Sequence, residues 1–177
     1  MRSNIALHLD MQEKVGTPRN DRYLSPSVTE INEIKKSIGI SENIGVLLYA
    51  PTLRDKARDA CVAQDIQEID IDATLKALRE KYQRDWVCLV RAHPGVVALA
   101  GVKNSDDILD VSNYEDMSDL LLASDILITD YSSTAGDFVL LNRPVILFHS
   151  DIEDYCKNTR ALYFDINDSP YFTVKNQ

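Results

Sequence analysis

A chain of 177 residues is the length of one domain and can bury a sizeable core, and at 45% hydrophobic and 27% charged it is globular rather than disordered. A formal net charge of -9 excludes a nucleic-acid surface, which needs clustered Lys and Arg, and makes any phosphate site a local one. Three scattered cysteines, Cys61, Cys88 and Cys156, follow no zinc or CxxC spacing and fit reduced thiols in a cytosolic compartment. No signal-peptide pattern and no apolar run of bilayer length are read in the sequence.

In chain order, Gly16-Thr17-Pro18-Arg19-Asn20-Asp21 is turn-rich, and a polar helix is predicted from about Ser27 to Ser37. Residues 1–40 read as a connector and 41–177 as the domain itself. Ile44 to Tyr49 reads as a strand ended by Pro51. Asp70 or Asp72 can cap a helix whose apolar face is Ile71, Leu75, Leu78 and Tyr82. That also explains Asp70-Ile71-Asp72, which imitates a DxD metal motif; no metal is expected. Trp86 to Val90 is a second strand, Val96 to Leu99 a short helix, and Ile108 to Val111 a third strand. Ser112-Asn113-Tyr114-Glu115 has the form of a capping box opening a helix with Met117, Leu120 and Leu121 on one face. Strands Ile126 to Thr129 and Val145 to Phe148 follow, with a helix after Ser133 between them, stopped by Asn142-Arg143-Pro144. His149 is a candidate base near a strand exit, with a partly exposed loop histidine as its plainer reading, and the tail after Phe164 reads as polar, without a helix to close the sheet. Strand alternating with helix at this spacing predicts an α/β fold, a Rossmann-like parallel sheet with helices on both faces.

The most informative stretch is Asp125-Ile126-Leu127-Ile128-Thr129-Asp130-Tyr131-Ser132-Ser133-Thr134. It places Ser132, Ser133 and Thr134 where a buried strand ends and a helix begins, a junction whose free N–H groups favour an anion. One hydroxyl would serve as an ordinary N-cap; three exceed that need. The other strand exits are Pro51-Thr52-Leu53-Arg54 and Arg91-Ala92-His93-Pro94. In a parallel sheet all exits share one edge, so two Arg, one His and several hydroxyls converge there and point to a phosphate or diphosphate ligand. Singly, each has a plainer reading: Arg54 solvated, Arg91 paired with a carboxylate, His93 a turn residue before proline.

Together the segments Gly16 to Asp21, Tyr49 to Arg54, Arg91 to Pro94 and Thr129 to Ser133, followed by Asp137-Phe138 and Leu141-Asn142-Arg143-Pro144, resemble the CDP-glycerol glycerophosphotransferases of teichoic-acid and capsule synthesis. The resemblance runs from Gly16 to about Phe164. It implies the second lobe of a two-lobed GT-B arrangement, binding CDP-glycerol or a related CDP-alcohol. Arg19, Pro51, Thr52, Arg54, Arg91, Ala92, His93, Ser132, Ser133, Thr134 and Asp137 are the implied donor-site residues, with His93 and Arg54 as the catalytic pair on the diphosphate. Asp137, one turn beyond Ser133, would accept hydrogen bonds from donor hydroxyls, or simply favour the helix start.

In the implied reaction an acceptor hydroxyl attacks the glycerol-side phosphorus and CMP departs, with no cofactor. The implied acceptor is lipid-linked or polymeric, and the full enzyme is expected in the cytoplasm, peripheral on the inner face of the membrane. The family's first lobe carries a His-Gly-Thr-Pro type motif whose histidine is taken as general base. Nothing before Arg19 matches it, since His8 lies in Leu7-His8-Leu9, so the acceptor lobe is expected to be missing and the domain truncated at its C-terminus. Two alternatives remain: a UDP-sugar-using glycosyltransferase or 2-epimerase lobe, and a non-catalytic nucleotide-binding module.

Overall fold

A computed structural model describes residues 17–52, 69–92, 105–158 and 165–176. A 3-10 turn at Pro18–Asn20 leads into the short helix α1 (Asp21–Leu24) and then α2 (Val28–Ser37). There follow β1 (Gly45–Tyr49), α3 (Ile71–Tyr82), β2 (Trp86–Val90), β3 (Ile108–Asp110), α4 (Met117–Ala123) and β4 (Ile126–Thr129). The chain continues through α5 (Thr134–Phe138), β5 (Val145–Phe148), α6 (Ile152–Asn158) and β6 (Phe172–Val174). The six strands form one parallel sheet in the order β3-β2-β1-β4-β5-β6. The α/β class and parallel sheet expected from the sequence are therefore found.

Every residue of β1, β2 and β4 is buried, as a sheet covered on both faces requires. The pleat sends Val46, Leu48, Val87, Leu89 and Leu127 into one apolar cluster, with Leu120, Leu121 and Phe138. It sends Leu47, Tyr49, Trp86, Cys88, Val90, Ile126 and Ile128 into a second, with Leu75. Asp70 opens α3, its carboxylate accepting the Ala73 N–H at 2.9 Å, and Gln83 ends the helix with a left-handed backbone at φ 52°. Gly45 sits where a Cβ would lie 2.5 Å from the Trp86 ring, so only glycine lets that indole lie against the start of β1.

Three readings change. The segment read as a connector contributes Tyr23, Ile34 and Ile40 to the first cluster, and α2 lies against α4. The capping box does not form. Ser112 Oγ accepts the Ala92 N–H at 2.9 Å, and α4 starts later, with Asp116 accepting the Ser118 N–H at 2.8 Å. A serine at the exit of β3 is worth more as a partner for an otherwise stranded amide at the exit of β2 than as a cap four residues early. Among the described residues the polar tail after Phe164 supplies no α-helix but does supply a sixth strand, β6, which pairs with β5. The helix expected at Val96 to Leu99 lies outside the described residues.

Candidate functional site

The chain runs from β1 outward to β2 and β3, then returns to β4 on the other flank of β1. The carboxyl ends of β1 and β4 therefore border the topological switch point, where open parallel sheets bind ligands. Two bonds close the strands to their last residue: Ala50 N–H donates to Ile128 O at 3.0 Å, and Thr129 Oγ1 donates to Ala50 O at 2.6 Å. Beyond them stands Asp130, only 6% exposed. Its carboxylate accepts the Thr52 N–H at 2.9 and 3.1 Å, the Thr52 hydroxyl, and the Tyr131 N–H at 2.7 Å. The reading of the sequence quoted Asp130 within its motif but assigned it no role. Its signal was an ionisable residue directly behind the strand Ile126–Thr129.

The three hydroxyls after Tyr131 divide their work. Ser132 Oγ donates to Thr134 Oγ1 at 2.8 Å and accepts the Thr134 N–H at 3.2 Å, which shapes the turn. Ser133 stands at the N-cap position, exposed and with no side-chain cap bond. Among the described residues nothing accepts the Ser132 or Ser133 N–H. With α5 only five residues long, what the turn offers an anion is these two local donors rather than a long helix dipole.

Arg19 and Asp137 meet above this turn. Arg19 Nη2 lies 3.0 Å from Asp137 Oδ2, and Asn20 Nδ2 donates to Asp137 Oδ1 at 3.0 Å. Pro51 and Thr52 sit half-buried at the β1 exit. Arg91 leaves β2 on the same edge, but its Nη1 donates to the carbonyls of Tyr114 at 2.6 Å and Val111 at 3.5 Å, bracing the loop that precedes α4. Burial lowers the pKa of its guanidinium, partly countered by Asp116. Ala92, beside it, is buried and gives its N–H to Ser112. Arg54 and His93, the expected catalytic pair, lie outside the described residues.

His149 departs from its sequence reading. It is 1% exposed, held by its N–H to Val174 O at 3.0 Å, because β6 covers the end of β5. Its Nδ1 has no partner among the described residues, and burial first, then Lys175, lowers its pKa. Tyr131 also carries more than the sequence suggested. Its ring stacks on Tyr155 with centroids 3.9 Å apart, and its hydroxyl donates to Asp151 Oδ1 at 2.9 Å, tying the β4 exit to α6. Among the described residues no group of three or more His, Cys, Asp or Glu is placed to hold a metal ion, and no helix is long and apolar enough to cross a membrane.

The family described as CDP-glycerol:poly(glycerophosphate) glycerophosphotransferase matches residues 6–176. A teichoic acid glycerol-phosphate transferase of Staphylococcus aureus is 37% identical over 167 residues, covering 93% of this chain and 42% of the relative. A teichoic acid poly(glycerol phosphate) polymerase of Bacillus subtilis is 38% identical over 152 residues, covering 85% of this chain and 20% of the relative. A solved structure of a variant of the wall teichoic acid polymerase TagF, soaked with CDPG, superposes with a TM-score of 0.70 at 33% identity. That match covers 93% of this chain and 40% of TagF, so the chain spans well under half the length of these relatives.

Proposed function

Because the chain belongs to the CDP-glycerol:poly(glycerophosphate) glycerophosphotransferase family, we propose that it is the donor-binding lobe of such an enzyme, holding CDP-glycerol or a related CDP-alcohol. The observation that carries this reading is the pair of open amides at Ser132 and Ser133, at the carboxyl edge of the sheet beside the β1–β4 switch point. The diphosphate sits on those amides. Arg54 and His93, leaving the neighbouring strand ends, are assigned to its remaining oxygens. Arg19 and Asp137 border the same turn and stand toward the glycerol.

In the whole enzyme an acceptor hydroxyl on a lipid-linked or polymeric chain attacks the glycerol-side phosphorus. A P–O bond forms to the acceptor as the bond to CMP breaks, and the hydroxyl proton passes to a base. Negative charge grows on the transferring phosphoryl oxygens and on CMP, so donors fixed in advance stabilise the transition state. The reaction takes place at the inner face of the cell membrane, where a cytoplasmic donor meets a membrane-linked acceptor.

Titration calorimetry against CDP-glycerol, CDP-ribitol, CMP and UDP-N-acetylglucosamine tests this. Binding of a CDP-alcohol and of CMP is expected, weak because one lobe offers one wall of a cleft. Preference for the uridine nucleotide overturns the reading in favour of a UDP-sugar lobe, and no binding of any of the four overturns it altogether.

A further inference from the structure

We infer that Asp130 is a positioning residue: it locks the loop carrying Thr52 to the turn carrying Ser132 and Ser133, so that both walls of the donor site are set as one unit. The inference rests on the donor-site reading above. A buried carboxylate beside an anion site is electrostatically adverse, and an ionised carboxylate only accepts hydrogen bonds, so it has nothing to offer phosphate oxygens. It is therefore no ligand of the diphosphate, and its acceptor capacity is directed elsewhere. Two backbone N–H groups and one hydroxyl converge on it from opposite sides of the switch point.

Position makes those bonds consequential. Ala50, Ile128 and Thr129 hold the strands together up to the end of the sheet. Asp130 makes the first link beyond it, where the ladder no longer fixes either segment. Its bond to the Tyr131 N–H orients the residue just ahead of the two open amides. Its bonds to Thr52 fix the exit of β1 at Pro51 and Thr52. Donors held in place before the ligand arrives need no reorganisation when it does, which is what such a clamp contributes to affinity.

Charge and geometry make opposite predictions for Asp130→Asn. The substitution removes a negative charge from beside an anion, which alone would tighten binding. Oδ1 accepts the Thr52 N–H, the Thr52 hydroxyl and the Tyr131 N–H, and Oδ2 accepts the Thr52 N–H at 3.1 Å, so in either orientation the new amide NH2 faces the Thr52 N–H, which loosens the clamp. The experiment is calorimetry of CDP-glycerol with the full chain, each variant's melting temperature being measured in parallel. Asp130→Asn is expected to weaken binding about tenfold or more, the equivalent of one lost bond to a charged acceptor. Thr52→Val is expected to weaken it in the same direction and Thr52→Ser to recover most of the loss. The double variant Asp130→Asn with Thr52→Val is expected to lie within about twofold of Asp130→Asn alone, because the two residues act through one link.

Unchanged or tighter binding by folded Asp130→Asn and Thr52→Val overturns the inference, as do losses that multiply in the double variant. Should Asp130→Asn fail to fold, Thr52→Val against Thr52→Ser decides by the same criterion. No binding by the unsubstituted chain overturns the functional reading itself, a result distinct from binding that the substitutions leave intact.

Discussion

Arg19 and Asp137 stand 118 positions apart in the chain, and their charged groups meet at 3.0 Å. Both are implied donor-site residues, and before any donor arrives each is the other's partner. The guanidinium is 58% exposed, so water and salt screen much of the attraction. A double-mutant cycle on urea unfolding with Arg19→Ala and Asp137→Asn is expected to give a coupling of at most about 1 kcal/mol, shrinking as salt is added.

Gly45→Ala is expected to destabilise the chain by about 1–3 kcal/mol, since the added methyl meets an indole that is itself fully buried and has nowhere to move. The measurement is the midpoint of chemical unfolding. An equal midpoint for the variant would mean that the ring shifts freely, against the packing described.

Burial holds the pKa of His149 below its ordinary value of 6.5, so the unfolded chain takes up a proton there that the folded chain resists. The stability this neutral histidine permits is fully present above pH 6.5 and is lost as pH falls below it toward the depressed folded value. Melting temperatures taken between pH 7.5 and pH 5.5, about one unit either side of the ordinary histidine value, are expected to fall less for His149→Phe than for the unsubstituted chain. Parallel curves would show that the imidazole takes up its proton over the same pH range in the folded and the unfolded chain.

Arg22 is the centre of three carboxylates, with Glu30 at 2.8 Å, Asp116 at 3.2 Å and Asp119 at 2.7 Å. The bonds to Glu30 and Asp119 raise its already high pKa, and the three together tie α1 to both α2 and the start of α4. Arg22→Met keeps much of the stem but leaves the three acids facing one another. It is expected to cost about 1–2 kcal/mol at low salt, and the variant should regain part of that in about 0.5 M sodium chloride because screening relieves the repulsion. A deficit independent of salt would assign the loss to packing.

What could be read from the chain follows from how local the cause is. Trp86–Val90, Ile126–Thr129 and Val145–Phe148 were read to the residue because strands buried in a parallel sheet are unbroken apolar runs. The hydroxyl cluster at Ser132 to Thr134 was legible for the same reason, standing where such a run stops. Phe172–Val174 was not: three residues after a proline have no period to detect, and only β5 makes them a strand. Ser112 carried a valid local signal that a distant amide outbid. The burial of His149 and the bonds of Asp130 depend on elements far along the chain, about which a local window contains no information.

The strand order has a consequence in time. β1 pairs with β2 on one side but must wait for β4 on the other, and the residues joined across that boundary, Ala50 and Thr129, are 79 positions apart. At ribosomal speeds of 5–20 residues per second that separation lasts about 4–16 s, during which the far edge of β1 has no neighbour. The nascent chain is then exposed to wrong strand partners, and a parallel sheet of such long-range pairings is among the slower ones to assemble. The contact between Thr52 and Asp130 closes only after that gap is crossed, so nucleotide affinity would report that β4 has joined β1.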